Sequence, residues 1–178
     1  MEDSARDSGG ATTLALGALA GVLGVWALDR LDWALWRRQP AEAKARTVAV
    51  RPGGEPPAQA LVTRIEGALG TPLSPAAHEA ASQVVHYAIG VGPAIAYAFA
   101  RPHLPGPSLL RGVLFGVGLW AVQDEGLNTV TGLGAEPGDY PWQDHARGVA
   151  AHALFGVTVE TVLVYAEEGR AALARVPA

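Results

Sequence analysis

The sequence predicts an all-α fold: an integral membrane bundle of four transmembrane helices, with a short amphipathic helix in the long loop between spans one and two. Three observations lead there. Apolar residues make up 49% of the chain, an ordinary share, yet they are gathered into runs, and Thr12–Leu28 and Ala80–Ala100 contain no Asp, Glu, Lys or Arg. The 22 Gly and 13 Pro are many for a helical protein, and both residues are commoner in membrane helices than in soluble ones. Finally, ionisable residues are set into apolar stretches, most densely in Tyr140–Glu160. Charges there are costly, so they need partners from neighbouring helices.

Composition narrows the function classes. The 178 residues make one domain's worth of chain. A net charge of −4 with no basic block argues against a nucleic-acid partner. There is no Cys, which removes disulfides, thiolate metal sites and a Cys nucleophile together. The acidic start MEDSARDSGG lacks the basic region of a signal peptide, so the first apolar segment is expected to be retained. The abundance of Ala, Gly and Arg is that of a GC-rich bacterial gene, and the expected location is the bacterial inner membrane as a multi-pass protein.

Residues 1–10 read as a polar tail and 11–178 as a single helical membrane domain. Span one, 11–36, carries Gly17, Gly21 and Gly24 on one side, a small-residue strip that allows close helix approach. Beyond Leu28 it turns amphipathic, with Trp26, Trp33 and Trp36 as interfacial anchors before Arg37 and Arg38. The proline-rich connection that follows holds AQALVTRIEGALG, which spaces Leu61, Ile65 and Leu69 by four and stops at Gly70. That pattern predicts an amphipathic helix on the membrane surface or on the bundle.

Ser74 then Pro75 starts span two, 75–100, as N-cap and first helical residue. Pro93 releases the carbonyl of Ile89 and should bend the helix. Span three, 109–128, has Gly112 and Gly116 at GxxxG spacing, but Gln123, Asp124, Glu125 and Asn128 fill its second half. Its uncharged run, Gly112–Gln123, is 12 residues, against about 20 needed to cross a bilayer. Either the acids are buried in a bundle or the span is short. Span four, 145–166, follows the turn Tyr140-Pro141-Trp142 and carries His145, Arg147, His152 and Glu160.

Alternating direction along the four spans collects Asp29, Arg30, Asp32, His78, Glu79, Asp124, Glu125, Asn128, His145 and Arg147 at one face. His86 and His152 then lie at similar depth, roughly 10–12 Å further in, with Glu160 near the opposite face. The candidate site is therefore His86, His152, Asp124, Glu125, Glu79, His145, Arg147, Asp29 and Glu160. Three chemistries fit such a set. The charges can simply neutralise one another and glue helices together. They can bind protons or small cations, with His86 and His152 relaying between the acids and Glu160. Or His86 and His152 can ligate haem or a divalent metal, although no HExxH or Glu-x-x-His motif accompanies them and the sequence requires no cofactor.

No P-loop, dinucleotide fingerprint or GxSxG elbow is present, and Ser82, one turn before His86, has no oxyanion partner. The expectation is a non-enzymatic protein of the lipid bilayer. Gly17, Gly21, Gly24, Gly112 and Gly116 offer strips for a homo-oligomer, or for a structural role as an assembly subunit of a membrane complex. Arg37, Arg38, Lys44, Arg46 and Arg51 after span one favour a cytoplasmic long loop with both termini outside.

The run Pro141, Trp142, His152, followed eight residues later by Glu160, resembles the C-terminal span of the YagU-type bacterial inner-membrane proteins. His86, Tyr97 and the Arg101-Pro102 break resemble that family's second span. The chain departs from the pattern at Asp124, near which the family tends to have His. The resemblance implies a multi-span inner-membrane protein with a role in acid tolerance and no established catalytic residues or cofactor.

Overall fold

The computed structural model describes residues 2–173 and 175, and every regular element within them is helical. Helix α1 (Glu2–Arg38) extends back through the segment expected as a polar tail. After it come α2 (Ala41–Val50), α3 (Pro57–Leu69), α4 (Pro75–Ala100), α5 (Ser108–Trp120), a π-helical segment (Ala121–Leu127), the single turn α6 (Asn128–Val130) and α7 (Trp142–Leu173). Helix α2 was not foreseen. Its sequence, AEAKARTVAV after Pro40, is a good helix former, but too short and polar to stand out from a proline-rich loop.

The local signals that set the other boundaries act as expected. Ser74 caps α4, its hydroxyl accepting from the Ala77 amide at 3.3 Å, and Gly70 ends α3 in the left-handed region at φ 63°. Among the described residues, three helices are long and apolar enough to cross a membrane: Gly9–Arg38, Pro75–His103 and Trp142–Ala172. The stretch expected as span three is not a uniform helix, because α5 widens into the π-helical segment where the polar residues begin.

Helix α7 packs along both α1 and α5, and α1 packs along α4. In space the order is α4, α1, α7, α5. Small residues make this closeness possible. A Cβ on Gly17 would lie 2.8 Å from Ile95 Cα, and one on Gly21 2.8 Å from Val91 Cα, so α1 and α4 touch backbone to backbone. Gly24 receives the Phe155 ring of α7, while Gly112 and Gly116 of α5 face Gly156 and the His152 carbonyl. The glycine strips offered to an oligomer or partner are thus filled from within the chain. The buried core is correspondingly small: Ala20, Val25, Ala94, Phe155 and Val159 lie at its centre. Large apolar side chains point outwards instead, among them Leu14, Leu19 and Trp26 of α1, Val84 and Phe99 of α4, and Leu109 and Leu114 of α5.

Helices α4 and α5 keep their backbones further apart and meet through side chains. Tyr97 stacks on Phe115 with ring centroids 4.1 Å apart. Gln123 Nε2 donates to the Ile89 carbonyl at 3.1 Å, the same carbonyl that Pro93 leaves without its helical donor. The helix defect and the polar residue on the facing helix therefore satisfy each other. Gln123→Leu is expected to cost about 1 kcal/mol in the natural background and almost nothing when combined with Pro93→Ala, which restores the backbone donor. A double-mutant cycle on thermal unfolding in detergent checks this, and equal costs in both backgrounds would refute the pairing.

The connection between α1 and α4 folds back across one end of this bundle. Arg46 Nε donates to the Asp139 carbonyl at 2.9 Å. Arg64 grips the Thr131 and Gly132 carbonyls at 2.6 and 2.9 Å. His78 Nδ1 meets Glu66 at 3.2 Å, which ties α3 to α4.

Candidate functional site

Under that connection lies a cavity of about 280 Å³, walled by α1, α4, the π-helical segment and α7, with Arg51 and the Pro56–Ala58 stretch also lining it. At ~30 Å³ per molecule it has room for roughly nine waters. Its inner wall is apolar, from Val25, Leu28, Ile89, Leu119 and Phe155, while polar groups from every surrounding element converge on it.

The π-helical segment explains how one helix contributes so many of them. A turn closed by i to i+5 bonds holds an extra residue, and such bulges recur at functional sites. Gln123, Asp124 and Glu125, three consecutive residues, all line the cavity.

Each histidine faces a carboxylate from another element. His86 Nε2 on α4 donates to Asp29 Oδ1 on α1 at 2.8 Å. His145 Nδ1 on α7 lies 2.8 Å from Glu125 Oε1, and its Nε2 lies 3.0 Å from the Pro137 carbonyl, so the ring is anchored from both sides. His152 Nδ1 donates to the Gly148 carbonyl at 3.0 Å and lies 3.8 Å from Asp124 Oδ2. Its Nε2 makes no bond to the protein among the described residues. Asp124 accepts no hydrogen bond among them, and 40% of its side-chain surface is open.

Arg147 neutralises the remaining acids. It pairs with Asp32 of α1 and with Asp144 at 3.0 Å, one turn back on α7, and its guanidinium lies 5.1 Å above the Trp36 ring. Asp144 is further held by Thr47 of α2 and by Gln39 Nε2 at 3.2 Å.

The cavity thus brings together Asp29, His86, Asp124, Glu125, His145, Arg147 and His152 of the nine candidates. Two stand elsewhere. Glu79 is an exposed residue of α4, 3.4 Å from the amides of Gln59 and Gln83. Glu160 belongs to a second cluster, where it is 2% exposed and accepts from Tyr97 Oη at 2.7 Å, Arg101 Nε at 2.8 Å and Arg111 Nη2 at 2.7 Å. Arg101 also pairs with Glu167. This carboxylate is saturated and joins α4, α5 and α7, which makes it a structural tie rather than the far end of a relay. Alternating spans put Arg101, Arg111 and Glu160 at one end, so the same geometric reasoning could have found it. Asp144 and Arg51 were missed as well. Asp144 carried a signal, its i,i+3 spacing to Arg147, whereas nothing in the sequence marked Arg51.

No protein-family model, curated protein or solved structure matches the chain. Among the described residues no group of three or more His, Asp and Glu is placed to hold a metal ion, so His86 and His152 gain no third ligand. What the cavity offers is three histidines, each beside a carboxylate, around one space of about 280 Å³.

Proposed function

We propose that this chain is a four-span integral protein of the bacterial inner membrane, non-enzymatic, whose acid–histidine cavity binds and passes protons or small cations. One observation carries the reading: His86–Asp29, His145–Glu125 and His152–Asp124 surround a single cavity, each pair bridging two helical elements. Imidazole exchanges protons near neutrality, and an adjoining carboxylate provides the second site that a transfer needs. Ionisable groups within membrane helices face the bundle interior and mark ion paths. The outward-facing large apolar side chains support the membrane placement. Helix α5, the π-helical segment and α6 form one continuous helical path from Ser108 to Val130 that serves as the fourth span. Ile65 and Leu69 of α3 are exposed and suit the membrane surface. The likeness to YagU-type proteins, with their link to acid tolerance, points the same way.

Proteoliposomes loaded with a pH-sensitive dye test the proposal. The natural chain should dissipate an imposed pH gradient, and His152→Gln, which keeps hydrogen bonding but does not titrate near neutrality, should slow it about tenfold or more. Vesicles that leak no faster with the protein than without it, or a His152→Gln variant as fast as the natural chain, would sink the reading.

A further inference from the structure

Most charges in the cavity are spoken for. Asp29 is bonded to His86, Glu125 to His145, and both Asp32 and Asp144 to Arg147. Two are not. Asp124 accepts no hydrogen bond among the described residues, and the nearby His152 ring nitrogen, at 3.8 Å, already donates to Gly148. Arg51 lines the same cavity, its Nε is buried with no partner, and its side chain forms no ion pair or hydrogen bond among the described residues. The two do not pair with each other. A buried guanidinium N–H without an acceptor is costly, and a partly open carboxylate with no protein donor is left free to bond a solvent or ligand donor. One anion and one cation left open in one cavity, with apolar Leu28, Ile89 and Leu119 beside them, are complementary to a ligand carrying both charges.

From this arrangement we infer that the cavity binds a small zwitterion, with an ammonium on Asp124 and a carboxylate or phosphate on Arg51. The inference takes the cavity as functional from the preceding section and adds Arg51, which the proton reading does not use. The ammonium also meets the unengaged Nε2 of His152, a lone-pair acceptor when the ring is neutral. Arginine suits the acidic end, since its planar fork grips carboxylate and phosphate alike. Two sources supply this chemistry next to a membrane: a dissolved amino acid or phosphoamine, and the headgroup of an ethanolamine phospholipid.

Calorimetric titration of the purified protein in detergent tests it with 4-aminobutyrate and phosphoethanolamine, against n-butylamine and butyrate as singly charged controls. A parallel arm compares thermal stability in nanodiscs of phosphatidylethanolamine and of phosphatidylglycerol. At least one zwitterion is expected to bind about tenfold or more tightly than either singly charged analogue, which is the gain of a second charge-assisted contact. Arg51→Gln and Asp124→Asn should each remove that gain, while Glu79→Gln, outside the cavity, should keep it. Tight binding of a soluble zwitterion identifies a solute, and stabilisation only by phosphatidylethanolamine identifies the headgroup; both support the inference. It is overturned if neither soluble zwitterion outbinds its singly charged analogues and the two lipids stabilise equally, or if Arg51→Gln binds as the natural chain does. The comparison of analogues on the natural chain stands even if a variant fails to fold. Proton flux is measured with no zwitterion present, so failure of either reading leaves the other test intact.

Discussion

Gly156→Ala should cost this fold more than a single methyl group costs almost anywhere else in it. A Cβ at Gly156 would lie 2.0 Å from the Gly112 carbonyl oxygen and 2.6 Å from the Gly116 amide nitrogen. Both obstacles are backbone, so no side chain can swing aside and the whole α5–α7 contact must open. Overpacking usually costs 1–3 kcal/mol, and here about 3 kcal/mol is expected because the relaxation is of a helix rather than a rotamer. Gly118→Ala is the control: nothing lies within 4 Å of a Cβ there, and the better helix propensity of Ala should leave stability unchanged or raise it by up to about 1 kcal/mol. Reversible unfolding in mixed micelles compares the two. Equal stability of both variants would mean that α5 does not sit on α7 as described.

Glu160→Ala should be nearly as damaging, for an electrostatic reason. Its carboxylate is the shared acceptor for Arg101, Arg111 and Tyr97. Removing it leaves the Arg101 guanidinium, 8% exposed, with only the exposed Glu167 for company. Stranding a buried charge in this way costs roughly 3–5 kcal/mol. Tyr97→Phe removes one neutral donor from a carboxylate that keeps two arginines, and should cost about 1 kcal/mol. Unfolding measurements that rank Tyr97→Phe above Glu160→Ala would show that the arginines are not held by Glu160. Neither residue lines the cavity, so in protein that still folds the proposed proton flux should be unchanged by either substitution.

Much of the site was legible because depth along an alternating bundle is a matter of counting residues. By counting residues, Asp29, Asp124, Glu125 and His145 fall at one face and His86 and His152 at a common depth further in, and the structure gathers all six around one cavity. The Ile89 carbonyl that Pro93 releases was legible for the same local reason, but its acceptance of Gln123 was not, since that depends on which side this helical path turns to α4. Two things escaped. A π-helical turn leaves no periodic signature, as one extra residue in a turn is a small phase change within a short segment; the polar half of span three therefore read as an interrupted helix. The fate of the glycine strips was also hidden. Spacing shows that a helix can be approached closely, not which helix approaches, and here α4 and α7 fill the places that an oligomer could have used.

The unequal joints of the bundle determine where it can yield. Around the ring α4, α1, α7, α5, consecutive helices are locked at glycines, by main chain on main chain between α4 and α1 and between α7 and α5, and by the Phe155 ring seated on Gly24 between α1 and α7, whereas the last joint, from α5 back to α4, is made by a ring stacked on a ring and one amide on one carbonyl. A ring with one soft joint opens like a clasp. Any molecule entering the cavity sideways between helices would meet its least resistance there, past Ile89 and Gln123, which stand at both the joint and the cavity wall. The tie at Glu160, which fastens α4 and α5 to α7 at the other end, would then serve as the pivot of that clasp.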